Sequence, residues 1–305
     1  MIPKCPRTDC LKFEFSVQEG PVPGRVVRHG GFRRSSDSRW VDRFRCGSCR
    51  RSFSRATLNP CFGQRRRRLN AEIESLYSSG MTQRRISLLV LANRKTVVRK
   101  IRFLAKQARL EHAEFLIRLT DDEQKLSSVQ LDDLETSEHT KCKPLSVAIA
   151  VEPKSRKILS YHVSRMPAKG LLVDQARKKY GRRKDERPKG WAKLARDLGP
   201  ILMAGATVTS DENPHYPRYI LRHLPDTVHV TCKGKRGCNT GQGELKKIGF
   251  DPLWSLNHTC AMLRANMSRL VRRTWSTTKT QQGLLDHLSI YASFHNRVLT
   301  SGPPG

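Results

Sequence analysis

Two sets of side chains stand out for the chemistry they could do. Four cysteines form two short knuckles, Cys5 and Cys10 in CPRTDC and Cys46 and Cys49 in CGSC. Each knuckle can turn two sulfurs to one side, and two such pairs suit a tetrahedral thiolate site for Zn2+. The spacing alone leaves open two unrelated pairs of reduced thiols. A disulfide framework fits poorly, because nothing marks the chain for secretion. The second set is acidic. Asp132 closes the run SVQLD, and Asp211 follows ATVTS. Carboxylates at the ends of neighbouring strands can share hard divalent cations, Mg2+ (or Mn2+), which also take phosphate oxygens and water. Two such ions about 3.5–4 Å apart can activate a nucleophile and stabilise the leaving oxygen of a phosphoryl transfer. Asp at a strand end is also a common turn former, and Asp211, just ahead of Glu212-Asn213-Pro214, could equally cap the next helix. Cys61, Cys142, Cys232, Cys238 and Cys260 read as core or loop thiols.

The elements that must position these groups follow from periodicity. Residues 128–132, 145–151 and 156–163 read as three successive strands, with Pro153-Lys154-Ser155 as a turn. A helix over 191–203, a strand over 206–210, a helix over 214–224 and a short strand over 227–231 follow. Ser255 then N-caps a long last helix carrying Ala261, Leu263, Met267, Leu270 and Val271. That order is α/β. Residues 176–190, ARKKYGRRKDERPKG, read as a loop or exposed helix.

Upstream lies a helix-turn-helix pattern. Leu69, Ile73, Leu76 and Tyr77 share one helical face; Gly80 stops that helix and Thr82 caps the next, which carries Ile86, Leu89 and Val90. A third helix carries Val97, Val98, Ile101 and Leu104, and its early residues Asn93, Arg94, Lys95, Thr96 and Arg99 stand where such a fold touches bases. Residues 20–45, with PVPG, HGG and SSDS, read as a loose Arg-rich insert between the cysteine pairs. The expected parts are a zinc ribbon over 1–62, a helix-turn-helix domain over 63–120 and an α/β domain over 121–300.

Charge narrows the class. Of 305 residues, 58 are Lys or Arg and 27 Asp or Glu, a formal net charge of +31, and 37% are hydrophobic, enough for a real core. No run approaches the roughly 20 apolar residues of a bilayer span, and MIPKCPRTDC lacks the apolar stretch of a signal peptide. A charge of this size is costly self-repulsion without a polyanion, and nucleic acid, whose condensed counterions Lys and Arg displace, is the expected partner. The first 110 residues hold 26 Lys and Arg against 7 Asp and Glu. The DNA-binding part is therefore expected at this end.

Three segments carry a resemblance. VQLDDLET (129–136), SDENPHY (210–216) and LNHTCAMLRANMSRLVRRTWSTTK (256–279) are similar to the first-acid strand, the second-acid strand and the final helix of insertion-sequence DDE transposases with an N-terminal zinc ribbon and helix-turn-helix. The resemblance implies an RNase H-like mixed sheet flanked by helices. It implies Mg2+-dependent hydrolysis of DNA at element ends, followed by joining of the freed 3′-hydroxyl to target DNA. By the match Asp132 is the first acid and Asp211 the second, with Asp133 in reserve. The third position departs from the family: Glu244, in GQGELKK, follows Asp211 at a suitable gap, whereas the matched helix offers Asn257 and His258. An Asn carbonyl can ligate a hard cation, and Asn257 ranks ahead of Glu244, with His258 third. Arg264, Arg269, Arg272 and Arg273 on the last helix, Lys279 after it and the basic run 177–187 complete a DNA track. The implied partners are double-stranded DNA, as element ends and as target, and further copies of the chain when two ends are joined. No membrane association is expected, and the implied location is the bacterial cytoplasm, at the nucleoid. Two rivals remain: a non-catalytic zinc-ribbon and helix-turn-helix regulator derived from a transposase, and a purely hydrolytic nuclease acting on branched DNA.

Overall fold

Phe44 and Cys46 are buried and alternate with exposed Arg43 and Arg45, and this period of two makes residues 40–46 a strand. The expected loose insert is thus corrected: in the computed structural model, β1 (Val26–Arg33) and β2 (Trp40–Cys46) pair antiparallel, and β3 (Ser52–Ser54) adds to β2. The register of β1 on β2 shifts between Arg28 and Gly31, where Gly30 takes φ +71°, so the Gly pair that reads as loop is an irregularity inside a ladder. The structure describes residues 2–7, 10, 26–35, 38–233, 251–271 and 275–300. The chain divides into two compact units, Met1–Arg67 and Arg68–Gly305. Phe44, Cys46 and Phe53 form the small core of the first.

The second unit begins with three helices, α1 (Leu69–Ser78), α2 (Gln83–Leu89) and α3 (Arg94–Arg118). Their ends follow the local chemistry. The Thr82 hydroxyl accepts from the Arg85 N–H at 3.3 Å and the Asn93 side chain from the Lys95 N–H at 2.8 Å, each satisfying a helix-end donor. Gly80 takes φ +83° beside the Asn266 carbonyl, a place no side chain fills easily. Leu69, Ile73, Tyr77, Ile86, Val97 and Ile101 pack together, joined by Ile290 from near the C-terminus.

The sheet of the second unit has five strands in the order β6-β5-β4-β7-β8. These are β4 (Leu126–Ser137), β5 (Pro144–Val151), β6 (Ile158–Arg165), β7 (Leu202–Ser210) and β8 (Val228–Thr231). The first three form an antiparallel meander; β7 joins β4 parallel and β8 joins β7 parallel. Helices cover both faces. Val129, Leu131, Ala148 and Val208 pack with α5 (Arg187–Leu198) and α6 (Tyr216–His223) on one side. Leu134, Val147 and Ile149 pack with α7 (Trp254–Asn266) and α8 (Gln281–Phe294) on the other. A further helix, α4 (Leu172–Tyr180), stands between β6 and α5. This is a mixed α/β architecture with a separate small antiparallel sheet.

Several sequence boundaries move. β4 runs on to Ser137, so Asp132 lies inside it rather than at its end. α5 starts at Arg187, and its end at Leu198 frees residues from 202 onward for β7. Ser255 does not cap α7; it sits within the first turn, and its hydroxyl donates to the Pro153 carbonyl at 2.6 Å. α7 stops at Asn266, because Met267 takes an extended conformation (φ −127°, ψ 91°) and a short 3-10 turn then carries Leu270 into the core. α8 is an addition to the sequence reading. Every residue from His287 to Ser293 is buried, so it shows no polar face for periodicity to find. Among the described residues no helix is long and apolar enough to cross a membrane.

Candidate functional site

Register brings the two predicted acids together. The last parallel pair of β4 and β7 is Gln130 with Thr209, and Asp132 and Asp211 each lie two residues further on. Side chains two apart on a strand share a face. Asp132 therefore lies on the side where Gln130 receives the Leu256 N–H at 3.0 Å and donates to the Pro252 carbonyl at 2.7 Å, and Asp211, one residue past the end of β7, is near enough for its charge to act on Asp132. Asp132, Asp211, Asn213, Tyr216, Arg264 and Arg269 line one cleft of about 960 Å3.

The acids differ in their hydrogen bonding. Asp132 Oδ1 accepts from the Asp133 N–H at 2.6 Å and from the Tyr216 hydroxyl at 3.3 Å. Burial, and after it the charges of Asp211 and Asp133, push its carboxyl up to about 6 against the pull of the Asp133 N–H. Among the described residues no cation pairs with Asp132 or Asp211; nearby Lys169 is taken by Glu135 and Arg187 by Asp185. Two partly buried carboxylates thus line one cleft with no salt-bridge partner among the described residues. Asp211 Oδ1 also accepts from the Asn213 N–H at 3.1 Å, so the turn-forming role open to it in the sequence is filled at the same time. Burial, then the charges of Asp133, Asp132 and Asp211, hold the Tyr216 phenol well above its ordinary range, which keeps it a donor. Asp133 points to the opposite face. Its oxygens accept from Ser146 at 2.6 Å and Trp191 Nε1 at 3.0 Å, and burial raises its carboxyl.

No third carboxylate comes from α7. The helix turns Leu256, Cys260 and Leu263 toward the sheet, and Asn257, exposed, donates from its side chain to Asp251 Oδ2 at 2.9 Å. His258 stacks near Trp254, 5.1 Å between ring centres. Burial, and then the Asp132 charge, push the Cys260 thiol up to about 12. Glu244, Cys238, Arg272 and Arg273 lie outside the described residues. Arg264 lines the cleft. Arg269 lines it too but is engaged structurally, donating to the Gly283 carbonyl at 2.8 Å and the Tyr77 hydroxyl at 3.3 Å. Lys279 is exposed beside Thr277, 3.1 Å away. Tyr216 and Trp191 went unweighed in the sequence. Tyr216 stands inside the SDENPHY segment, five residues after Asp211, where the first turn of a following helix can return a side chain to the strand end.

The cysteine site lies in the first unit. The sulfurs of Cys5 and Cys49 are 3.7 Å apart, as are those of Cys10 and Cys46, and all four lie within 4.8 Å of one another. A tetrahedron with Zn–S bonds of about 2.3 Å has edges of about 3.8 Å, so the four cysteines form a possible metal site compatible with zinc. Burial raises the Cys46 thiol, but the Cys49 and Ser48 N–H groups outweigh it and bring it down to about 7; burial pushes Cys5 up to about 12. At the start of α3, Arg94, Lys95 and Arg99 are exposed and Thr96 is half-buried, with no ion pair to any of the three cations among the described residues. Neither a protein-family model nor a curated protein matches the chain.

Proposed function

We propose that the protein is a DDE-type transposase: it binds the ends of its own mobile element, cleaves DNA there and joins the freed strand to a target. The single observation that carries this reading is the pair Asp132, inside β4, and Asp211, one residue past the end of the adjacent parallel β7, which line one cleft with no cationic partner among the described residues. The strand order β6-β5-β4-β7-β8, an antiparallel meander followed by two parallel strands, supports an RNase H-like assignment. Mg2+ or Mn2+ bound there would activate a nucleophile and stabilise a leaving oxygen of the phosphodiester. The chain's own residues do the rest. Tyr216 and the Asp133 N–H hold the Asp132 carboxylate through one oxygen, Oδ1. Arg264 supplies positive charge at the same cleft for a phosphate. The exposed Arg94, Lys95 and Arg99 at the start of α3 are the groups for reading element ends. Two ends must be joined, so the working form is an oligomer on DNA.

The test is a Mg2+-dependent nicking and strand-transfer assay on DNA carrying the flanking repeats. Asp132→Ala and Asp211→Ala should each reduce nicking by at least a thousandfold and leave DNA binding intact. One observation favours a second reading, a non-catalytic DNA-binding regulator: α7 brings Arg264, and no acid, to the carboxylate cleft. Binding without nicking in Mg2+ or Mn2+ would select it. Hydrolysis without strand transfer would select the nuclease.

A further inference from the structure

The turn before β5 and the segment running from the end of β6 through α4 to α5 enclose a second pocket, of about 590 Å3. Six of its lining side chains are cationic: Lys143, Arg165, Arg177, Arg182, Arg183 and Lys184. Glu186 is the one acid among the described residues that line it. Arg183 is partly neutralised, its Nη2 lying 3.2 Å from Glu138 Oε2 and donating to the Pro144 carbonyl at 3.4 Å, while its Nε is buried with no partner. Arg177, Arg182 and Lys184 are exposed and carry no ion pair among the described residues. Gly181, at φ +74°, is what turns the chain back after α4 and brings residues 182–184 over the pocket. Cations gathered so closely repel one another, and an anion is what relieves that cost.

The pocket adjoins the carboxylate cleft. At Lys143 and Pro144, Val173 and Leu172, and Glu186 and Arg187, one residue lines the pocket and its chain neighbour lines the cleft. Tyr180 adds an aromatic ring, with Lys143 Nζ 4.4 Å from its centre. Guanidinium groups match phosphate oxygens, and cations interleaved with an exposed ring suit a nucleic-acid strand better than a single free anion.

We infer that this pocket holds the phosphodiester backbone of a DNA strand where it leaves the carboxylate cleft, a phosphate site separate from the reading end of α3. The inference deepens the proposed function and rests on it for the identity of the strand. The test uses the full chain and a fluorescein-labelled oligothymidylate of about 20 nucleotides, which offers no duplex repeat to read. Anisotropy titrations across a salt series compare the wild type with Arg177→Ala/Arg182→Ala/Lys184→Ala. Each lost phosphate contact on a single strand flattens the plot of log K against log salt by about 0.7, so the triple variant should lie about 2 units flatter. The charge-retaining Arg177→Lys/Arg182→Lys variant should keep the wild-type slope. A strand carrying 5-iododeoxyuridine should photo-cross-link to Tyr180. An unchanged slope, or cross-links confined to other parts of the chain, would overturn the inference. Tripolyphosphate binding as tightly as the oligonucleotide would replace the strand by a free polyphosphate. A flattened slope in a protein that never nicks DNA would sink the enzyme reading alone; nicking with an unchanged slope would sink the pocket alone.

Discussion

Tyr216 carries a burden out of proportion to its 1% exposure: its hydroxyl is the only side-chain donor to Asp132 among the described residues. A hydrogen bond to a charged group contributes about 1.5–3 kcal/mol, and at 3.3 Å the lower figure applies. Tyr216→Phe should therefore lower Mg2+-dependent nicking about tenfold, with binding to the terminal repeats unchanged, as gel shift and plasmid nicking run in parallel would show; an unaltered nicking rate would remove the phenol from the site. The two strand acids were legible in the sequence because each ends or follows an apolar run. Their meeting at one cleft was not, since it depends on a register between strands about 80 residues apart. For Asn257 the signal was present but unused. Leu256, Cys260 and Leu263 mark the buried stripe of α7, and residue 257 falls about 100° away from it. Resemblance at that position spoke to residue type, whereas the helix phase decides what the side chain can reach.

Among the elements, α8 is the one on which the three helices α1–α3 and the sheet both rest. It gives Ile290 to the first core and Leu284, Leu288 and Tyr291 to the second. His287, in its middle, stacks on Tyr77 of α1 at 3.8 Å and bonds the Tyr77 carbonyl at 3.2 Å. Burial, and then the Arg269 charge, hold this imidazole down to about 3. The folded pKa is depressed below the unfolded value of about 6.5. The neutral ring's contribution is thus complete above pH 6.5 and is lost as pH falls toward 3, at roughly 1.4 kcal/mol per pH unit. In urea unfolding between pH 7 and 4.5, His287→Phe should lose correspondingly less stability than the wild type; parallel pH dependences would show that the ring is not buried in neutral form. Helices α1, α2 and α3 were legible because Gly80, Thr82 and Asn93 punctuate amphipathic runs. α8 and the β1–β2 hairpin were not. One lacks a polar face, and in the other Gly30-Gly31 reads as a break although the ladder continues past it.

For the molecule as a whole, the division into two units makes the cysteine site a local matter. Among the described residues the buried core of the first unit is only Phe44, Cys46 and Phe53, too little to hold a fold by itself, and a structural zinc ion contributes folding free energy directly. Cys46→Ser should reduce bound zinc from about one per chain to none by elemental analysis. Chelation should abolish a first thermal transition and leave the second, from Arg68–Gly305, where it was. A single transition that ignores chelator would refute the metal assignment.

One helix also links the two tasks proposed for the second unit. α3 runs 25 residues without interruption, about 37 Å. Its first turn carries the exposed cations, and Phe115 and Leu116 near its far end pack into the sheet core. On the proposed function it acts as a caliper. Changes at Arg94, Lys95 or Arg99 would alter which sequence is recognised, while the distance from that sequence to the scissile bond would be fixed by how many residues the rod contains. New specificities could then arise at the tip without resetting the cut, and adding one turn to the rod would displace the cut by about 5 Å, roughly a base pair and a half, with recognition intact.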